Sequence, residues 1–233
     1  YDLVRERHAN RKELPIISIE QARANKPAID WSSYTPPRPK FIGRRTFKNY
    51  DLAELANYID WTPFFQTWSL FGQYPAILDD KVVGEQARKV FADGQAMLRK
   101  IIDGRWLTAN GVVAFYPANT VNDDDIEIYS DESRTEVLLT WRNVRQQGVK
   151  REGVDNKCLA DFIAPKSSGV ADYIGLFAVT GGLGIEKREA EFERQNDDYS
   201  SIMLKALADR FAEAFAECLH ARLRTDLWGY VPD

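Results

Sequence analysis

The last third of the chain constrains the fold most. From about Tyr199 to Thr225, the residues Leu204, Leu207, Phe211, Phe215, Cys218, Leu219 and Leu223 recur three or four apart. That spacing puts them on one stripe of an α-helix. A helix this long needs a broad apolar surface to lie on, so the rest of the chain must supply one. Upstream, Ala87, Val90, Phe91, Leu98, Ile101 and Ile102 predict a second helix from Gly84 to about Asp103. Asp51 is an N-cap for a short helix bearing Leu52, Leu55 and Tyr58, and Thr62-Pro63 reads as a further helix start, with Thr62 as the cap.

Between the helical stretches the period changes to that of strands. Gly111–Tyr116 reads as a buried strand, Asp125–Tyr129 as a half-buried one, and Thr135–Trp141 as a third. Tyr173–Thr180 reads as a fourth, ended by Gly181-Gly182. Helices, then strands, then a long helix predict an α+β fold: a largely antiparallel sheet with flanking helices and one long C-terminal helix. Residues 1–15 are charged and compatible with a helix, and residues 16–46 are rich in proline, so an extended arm is expected there.

Composition narrows the function. With 44% hydrophobic and 28% charged residues the chain reads as an ordinary globular protein. A net charge of −4 without a basic patch argues against nucleic acid and anionic membrane as partners. No apolar run approaches the ~20 residues that span a bilayer. Cys158 and Cys218 have no metal-ligand spacing, and a reduced, cytoplasmic protein is the simplest reading. His8 and His220 are isolated.

Several clusters carry chemistry or mere structure. Asp60 lies among Tyr58, Trp61, Phe64, Phe65, Trp68, Phe71 and Tyr74. Its carboxylate suits a ligand amine and the rings suit a flat ligand, or the rings are core and Asp60 only caps a helix. On the last helix Lys205, Asp209, Glu213 and Glu217 follow at i+4 spacing. Lys205 pairs favourably with Asp209, while the three acids repel; this is either an acidic face for a cationic ligand or partner, or solvated surface. Asn122-Asp123-Asp124-Asp125 with Glu127 and Asp131 suits a hairpin turn better than a cation site. Thr180-Gly181-Gly182-Leu183-Gly184 matches no phosphate-loop pattern and reads as a turn. The residues alone support a ligand-binding domain and no named reaction.

Several runs, in order, resemble the activation (S-adenosylmethionine-binding) domain of cobalamin-dependent methionine synthase. They are Tyr58-Ile59-Asp60-Trp61-Thr62-Pro63-Phe64-Phe65 with Trp68-Ser69-Leu70, Phe115-Tyr116-Pro117-Ala118-Asn119, Asp124-Asp125-Ile126-Glu127-Ile128-Tyr129, Cys158-Leu159-Ala160-Asp161-Phe162-Ile163-Ala164-Pro165-Lys166, Tyr173-Ile174-Gly175-Leu176-Phe177-Ala178-Val179-Thr180-Gly181-Gly182, Lys205-Ala206-Leu207-Ala208-Asp209-Arg210 running into Ala212-Glu213-Ala214, and Trp228-Gly229-Tyr230. The resemblance implies a domain from about residue 28 to 233, with residues 1–27 as the link from a preceding cobalamin-binding domain. It implies that the domain brings S-adenosylmethionine to cobalamin held by that neighbour, while a flavodoxin-like protein supplies an electron. The parent enzyme would be a methyltransferase that converts homocysteine to methionine, with zinc in another of its domains. By resemblance Asp60 and Glu213 bind the ligand, and Asp209 faces the cobalamin domain. The domain carries no catalytic residue for homocysteine methylation and no metal ligand. One departure stands out: the family's Arg-x-x-x-Gly-Tyr-Pro run is missing. The sequence is therefore expected to be incomplete at its C-terminal end. The alternative expectation is a standalone binding or interaction protein that kept the fold and lost the ligand.

Overall fold

In a computed structural model, residue 5 and residues 15–231 are described. The charged stretch before Pro15 (Arg5 apart), His8 and the final Pro232-Asp233 lie outside the described residues. In chain order the elements are α1 (Ile19–Ala24), β1 (Gly43–Phe47), α2 (Leu52–Ala56), α3 (Thr62–Thr67), α4 (Gly84–Asp103), β2 (Thr108–Val121), β3 (Asp125–Tyr129), β4 (Val137–Arg142), β5 (Asp172–Leu183), α5 (Ile185–Arg194) and α6 (Asp198–Arg222). The strands form one sheet in the order β1-β2-β3-β4, with β5 also pairing β2. The fold is α+β, as predicted. No helix among the described residues is long and apolar enough to cross a membrane.

The chain divides into two compact units. The first comprises residues 1–42 and 115–174, the second residues 43–114 and 175–233.

The second unit is built on α6. Asp197 caps it, its side chain accepting the Ser200 N–H at 3.0 Å. The predicted stripe is buried, and Met203, Ala206, Ala208 and Ala214 widen it. Around it Leu55, Phe64, Phe65, Ile101, Leu204, Leu207, Phe211 and Phe215 are fully buried. Gly94 explains how an aromatic ring reaches this core through α4: a Cβ there would lie 2.7 Å from Phe64 Cζ. At the far end of α4, Trp106 N–H bonds Ile101 O at 3.0 Å, closing the helix with Arg105 at φ +46°. Glycine usually occupies that left-handed position.

Gly181 and Gly182 do not end β5; both lie within it. A Cβ on Gly181 would sit 2.5 Å from Ala212 N and from the Phe211 carbonyl carbon. The strand therefore rests on α6 backbone to backbone, and only glycine permits it. The strand ends two residues later, where Gly184 at φ +93° opens α5.

In the first unit β3 pairs antiparallel with the end of β2, Ala118 opposite Ile128, and with β4 on its other side. Flanked on both sides, β3 is buried at Asp125, Ile126, Ile128 and Tyr129, more than the half-buried strand its alternation predicts. In β4, Leu139 faces Ile128 but Val137 faces Tyr129, so Leu138 is an extra residue, a β-bulge. β4 is the edge of the sheet among the described residues, and Val137, Leu138 and Leu139 are exposed. The proline-rich arm is less extended than expected. It contains α1, started by a Ser18–Gln21 capping box, and β1.

Candidate functional site

Asp60 sits between two buried side chains, Ile59 and Trp61, and this alternation turns it outward. One carboxylate oxygen, Oδ1, accepts the Thr62 N–H at 2.9 Å. Asp60 is therefore the side chain that closes the start of α3, the role the sequence reading gave to Thr62. Thr62 Oγ1 instead accepts the Tyr74 N–H at 3.2 Å, tying the following loop to the same turn. With Oδ1 committed, Oδ2 has no protein hydrogen bond among the described residues, and a carboxylate on an exposed residue of a fixed turn suits a cationic ligand.

The aromatic cluster divides. Trp61, Phe64 and Phe65 are core. Trp61 meets Phe64 and Phe91 edge-on at 5.1 and 4.9 Å, and Tyr74 packs 5.4 Å from Phe91. Only Tyr58, Phe71 and Tyr74 keep substantial exposure. The rings thus support the turn that carries Asp60 from below more than they wall a ligand. Trp68 packs 4.9 Å from Tyr199, and its buried indole N–H has no partner among the described residues. Tyr199 donates to Asp93 at 2.8 Å, and burial followed by that bond pushes its phenol up to about 12.

Asp209, Glu213 and Glu217 line the exposed face of α6. The expected Lys205–Asp209 pair is absent. Lys205 reaches across to Glu189 on α5, and Asp209 bonds its neighbour Arg210 at 2.5 Å. The reason is tertiary: α5 packs along α6 and brings a carboxylate to Lys205. Glu213 has no ion pair among the described residues. Helices α2 and α3, which flank Asp60 in sequence, both pack on α6, the helix that carries Glu213. No hydrogen bond joins Asp60 to Glu213 or Asp209. The β5–α6 contact at Gly181 meets α6 at Phe211 and Ala212, between Asp209 and Glu213 in sequence. That glycine fixes the depth of the acidic helix. Its sequence signal, a Gly pair within a β-run, reads there as a strand end.

The acidic run is a hairpin turn. Asn122 and Asp123 hold φ +51° and +65°, and Asp124 joins them between β2 and β3. Its carboxylates meet cations: Asp123 with Lys26 at 2.6 Å, Asp124 with Arg23 and Arg145 at 2.7 Å each, Glu127 with Lys166 at 2.7 Å, and Asp125 with Arg142. Among the described residues no group of three His, Cys, Asp or Glu is placed to hold a metal. Arg145 is the hub that the sequence does not reveal. Its side chain is fully buried, with Nε on Asp124, Nη1 on Asn156 O and Asp161, and Nη2 on Asp161 and the Asp123 carbonyl. Burial alone would lower its pKa, but the bonds to Asp161 and Asp124 raise it instead.

Other features lie apart from the predicted residues. A 560 Å³ groove is lined by Asn49, Tyr50, Asp51, Leu52, Arg105 and Thr108 among others, and none of Asp60, Asp209 and Glu213 lines it. Cys158 and Cys218 are free and buried, and His220 is exposed near the end of α6, 6.5 Å from the Phe177 ring.

Known proteins resemble this chain. The family described as "Vitamin B12 dependent methionine synthase, activation domain" matches residues 51–233. A solved structure described as "Crystal Structure of the MetH Reactivation Domain bound to AdoHcy" is 53% identical, with a TM-score of 0.88. That match covers 94% of this chain and 66% of the other, so this chain spans about two thirds of the length of its relative.

Proposed function

The chain belongs to the family of activation domains of vitamin B12 dependent methionine synthase, and from that premise we propose that it binds S-adenosylmethionine and serves the reductive methylation of cobalamin. The observation that carries this is 53% identity over nearly the whole chain to a domain described with AdoHcy bound. AdoHcy is S-adenosylmethionine without its transferable methyl group. When bound, S-adenosylmethionine supplies that methyl group, a flavodoxin-like protein the electron, and a cobalamin-binding domain of the same polypeptide the cofactor that is restored. Homocysteine methylation, with its zinc, belongs to other domains of the parent methyltransferase, in the cytoplasm, as part of methionine biosynthesis.

The residues of this chain bind and orient. Asp60 Oδ2 accepts from the ligand amine, or lies beside its positive charge, while Oδ1 stays on Thr62. Glu213 is a second carboxylate for the same cation, exposed and without a competing ion pair among the described residues. Asp209, one turn earlier and held by Arg210, faces the cobalamin-binding domain. No proton is moved by these groups; their part is position and charge.

Calorimetric titration of S-adenosylmethionine into the chain and into Asp60→Asn tests the reading. Asparagine keeps the acceptor for Thr62 N–H and removes only the charge. Loss of a charged hydrogen bond weakens binding about tenfold to a hundredfold. Equal affinity in both proteins removes Asp60 from the site. Failure of both proteins to bind favours a module that kept the fold and lost the ligand.

A further inference from the structure

The segment before the family match is fastened to the first unit in an unusual way. Residues 15–26 are held almost wholly by polar bonds. Ile17 N–H donates to Gln147 O at 2.9 Å, Val149 N–H to Pro15 O at 3.1 Å, and Gln147 Nε2 to Ile17 O at 2.9 Å. Asn156 N–H donates to Asn25 O at 2.9 Å, and Asn25 Nδ2 to Asn156 Oδ1 at 2.7 Å. Two ion pairs finish the attachment, Arg23–Asp124 and Lys26–Asp123. Of α1 only Ala22 is buried, and Ile16 is 75% exposed. There is little apolar area to hold the segment down.

The buried charges beneath keep their partners without it; Asn156 gives up its two bonds to Asn25 and keeps those from Nδ2 to Gln146 O and Gly148 O. Every hydrogen bond of the buried Arg145 goes to Asp123, Asp124, Asn156 or Asp161, none to residues 15–26. Asp124 keeps Arg145 if Arg23 leaves, and Asp123, already half exposed, returns to water. Detachment strands no buried charge, so the ordinary penalty for breaking a buried pair does not apply.

We propose that residues 15–26 are a releasable strap, clasped by charge onto the 122–124 turn and the 145–156 segment, whose release lengthens the stretch of chain that leads into the first unit. Twelve residues paid out as extended chain add about 40 Å of reach. Lys26–Asp123 is exposed on both sides, and Arg23 is 40% exposed opposite the buried Asp124; exposed charges are screened as salt shortens the Debye length, so the clasp loosens with ionic strength while the apolar core does not. The inference is independent of ligand binding.

Hydrogen-exchange mass spectrometry of the 233-residue chain tests it. The reporters are the amides of Ile17, Val149 and Asn156, with those of Leu207 and Phe211 in α6 as the reference. Raising salt from about 0.05 M to about 1 M, where the Debye length falls to about 3 Å, should cut protection of the reporters about tenfold and leave α6 unchanged. The double variant Arg23→Gln, Lys26→Gln should show that loss already at low salt and respond little to more. Reporter protection that is indifferent to salt overturns the proposal. So does loss of protection in α6 in step with the reporters, because the segment would then open only with the whole fold.

Discussion

An alanine at Gly181 adds one methyl group at the point where β5 and α6 touch. The new Cβ would lie 2.5 Å from Ala212 N, 2.5 Å from the Phe211 carbonyl carbon and 2.9 Å from Phe211 Cβ. Comfortable carbon contacts start near 3.5 Å, so strand and helix must separate by about 1 Å. Neither can yield by rotating a side chain, since two of the three contacts are backbone. The separation loosens Phe211, Phe215 and Leu207, all fully buried. Overpacking of this kind costs about 1–3 kcal/mol. Backbone contacts put Gly181→Ala at the upper end, about 3 kcal/mol, less a few tenths returned by the stiffer unfolded chain. With a urea m-value of about 3 kcal/mol/M, the unfolding midpoint falls by about 1 M. The control is one residue away. At Gly182 the nearest atom to an added Cβ is a methyl, Ala208 Cβ at 3.3 Å, and the next is 3.8 Å off. Gly182→Ala should cost less than about 1 kcal/mol. Midpoints should be read by circular dichroism and by tryptophan fluorescence. A Gly181→Ala midpoint equal to that of the parent chain, or to that of Gly182→Ala, would refute the backbone contact and the argument from it.

Three further outcomes are expected. Arg145→Leu strands Asp161 and Asp124 without their buried partner and should cost about 3–5 kcal/mol in urea unfolding, with partial recovery on adding Asp161→Asn. Arg105→Gly relieves a left-handed residue at the end of α4 and should raise stability by about 0.5–1 kcal/mol, seen as a higher melting temperature. The hydrogen bond from Lys26, opposed by burial and helped by the charges of Lys26, Arg23 and Arg145, holds the Asp123 carboxyl below its usual range. Its folded pKa lies below the unfolded one, so its contribution is complete above about pH 4–5 and fades as pH falls through the folded value. Exchange protection at Ile17 should therefore be flat from about pH 5 to 8, after correction for intrinsic rates, and decline below that range.

The elements legible in the sequence were those whose cause is local. The α6 stripe from Leu204 to Leu223 repeats over about five turns, and each buried position reinforces the same period. The hairpin at 122–124 carries its own turn chemistry. Asp60 was legible as a polar residue at a helix start, but whether its carboxylate or the Thr62 hydroxyl makes the capping bond depends on where the Tyr74 loop returns. Lys205 shows the same limit: within the helix its best partner is Asp209, and only the packing of α5 offers Glu189 instead. Arg145 gave no signal, because an arginine in a polar stretch is ordinarily solvated. Its burial is made by Asp124 from one hairpin and Asp161 from a distant turn. Gly181 misled for a related reason. A glycine pair marks a turn or a close approach, and the difference lies in a helix thirty residues on.

The bulge at Leu138 bears on how the chain behaves among copies of itself. A sheet edge showing three aliphatic side chains is a template on which another extended chain could deposit, and cross-β growth depends on such templates. The extra residue puts the two halves of β4 out of phase. An incoming strand in step with Leu139–Arg142 is one position out at Val137, where each of its side chains would point to the wrong face. A continuous ladder cannot extend along the whole strand without straightening it. This apolar edge is thereby made a poor seed for aggregation, by geometry and without the help of a charged gatekeeper at its centre.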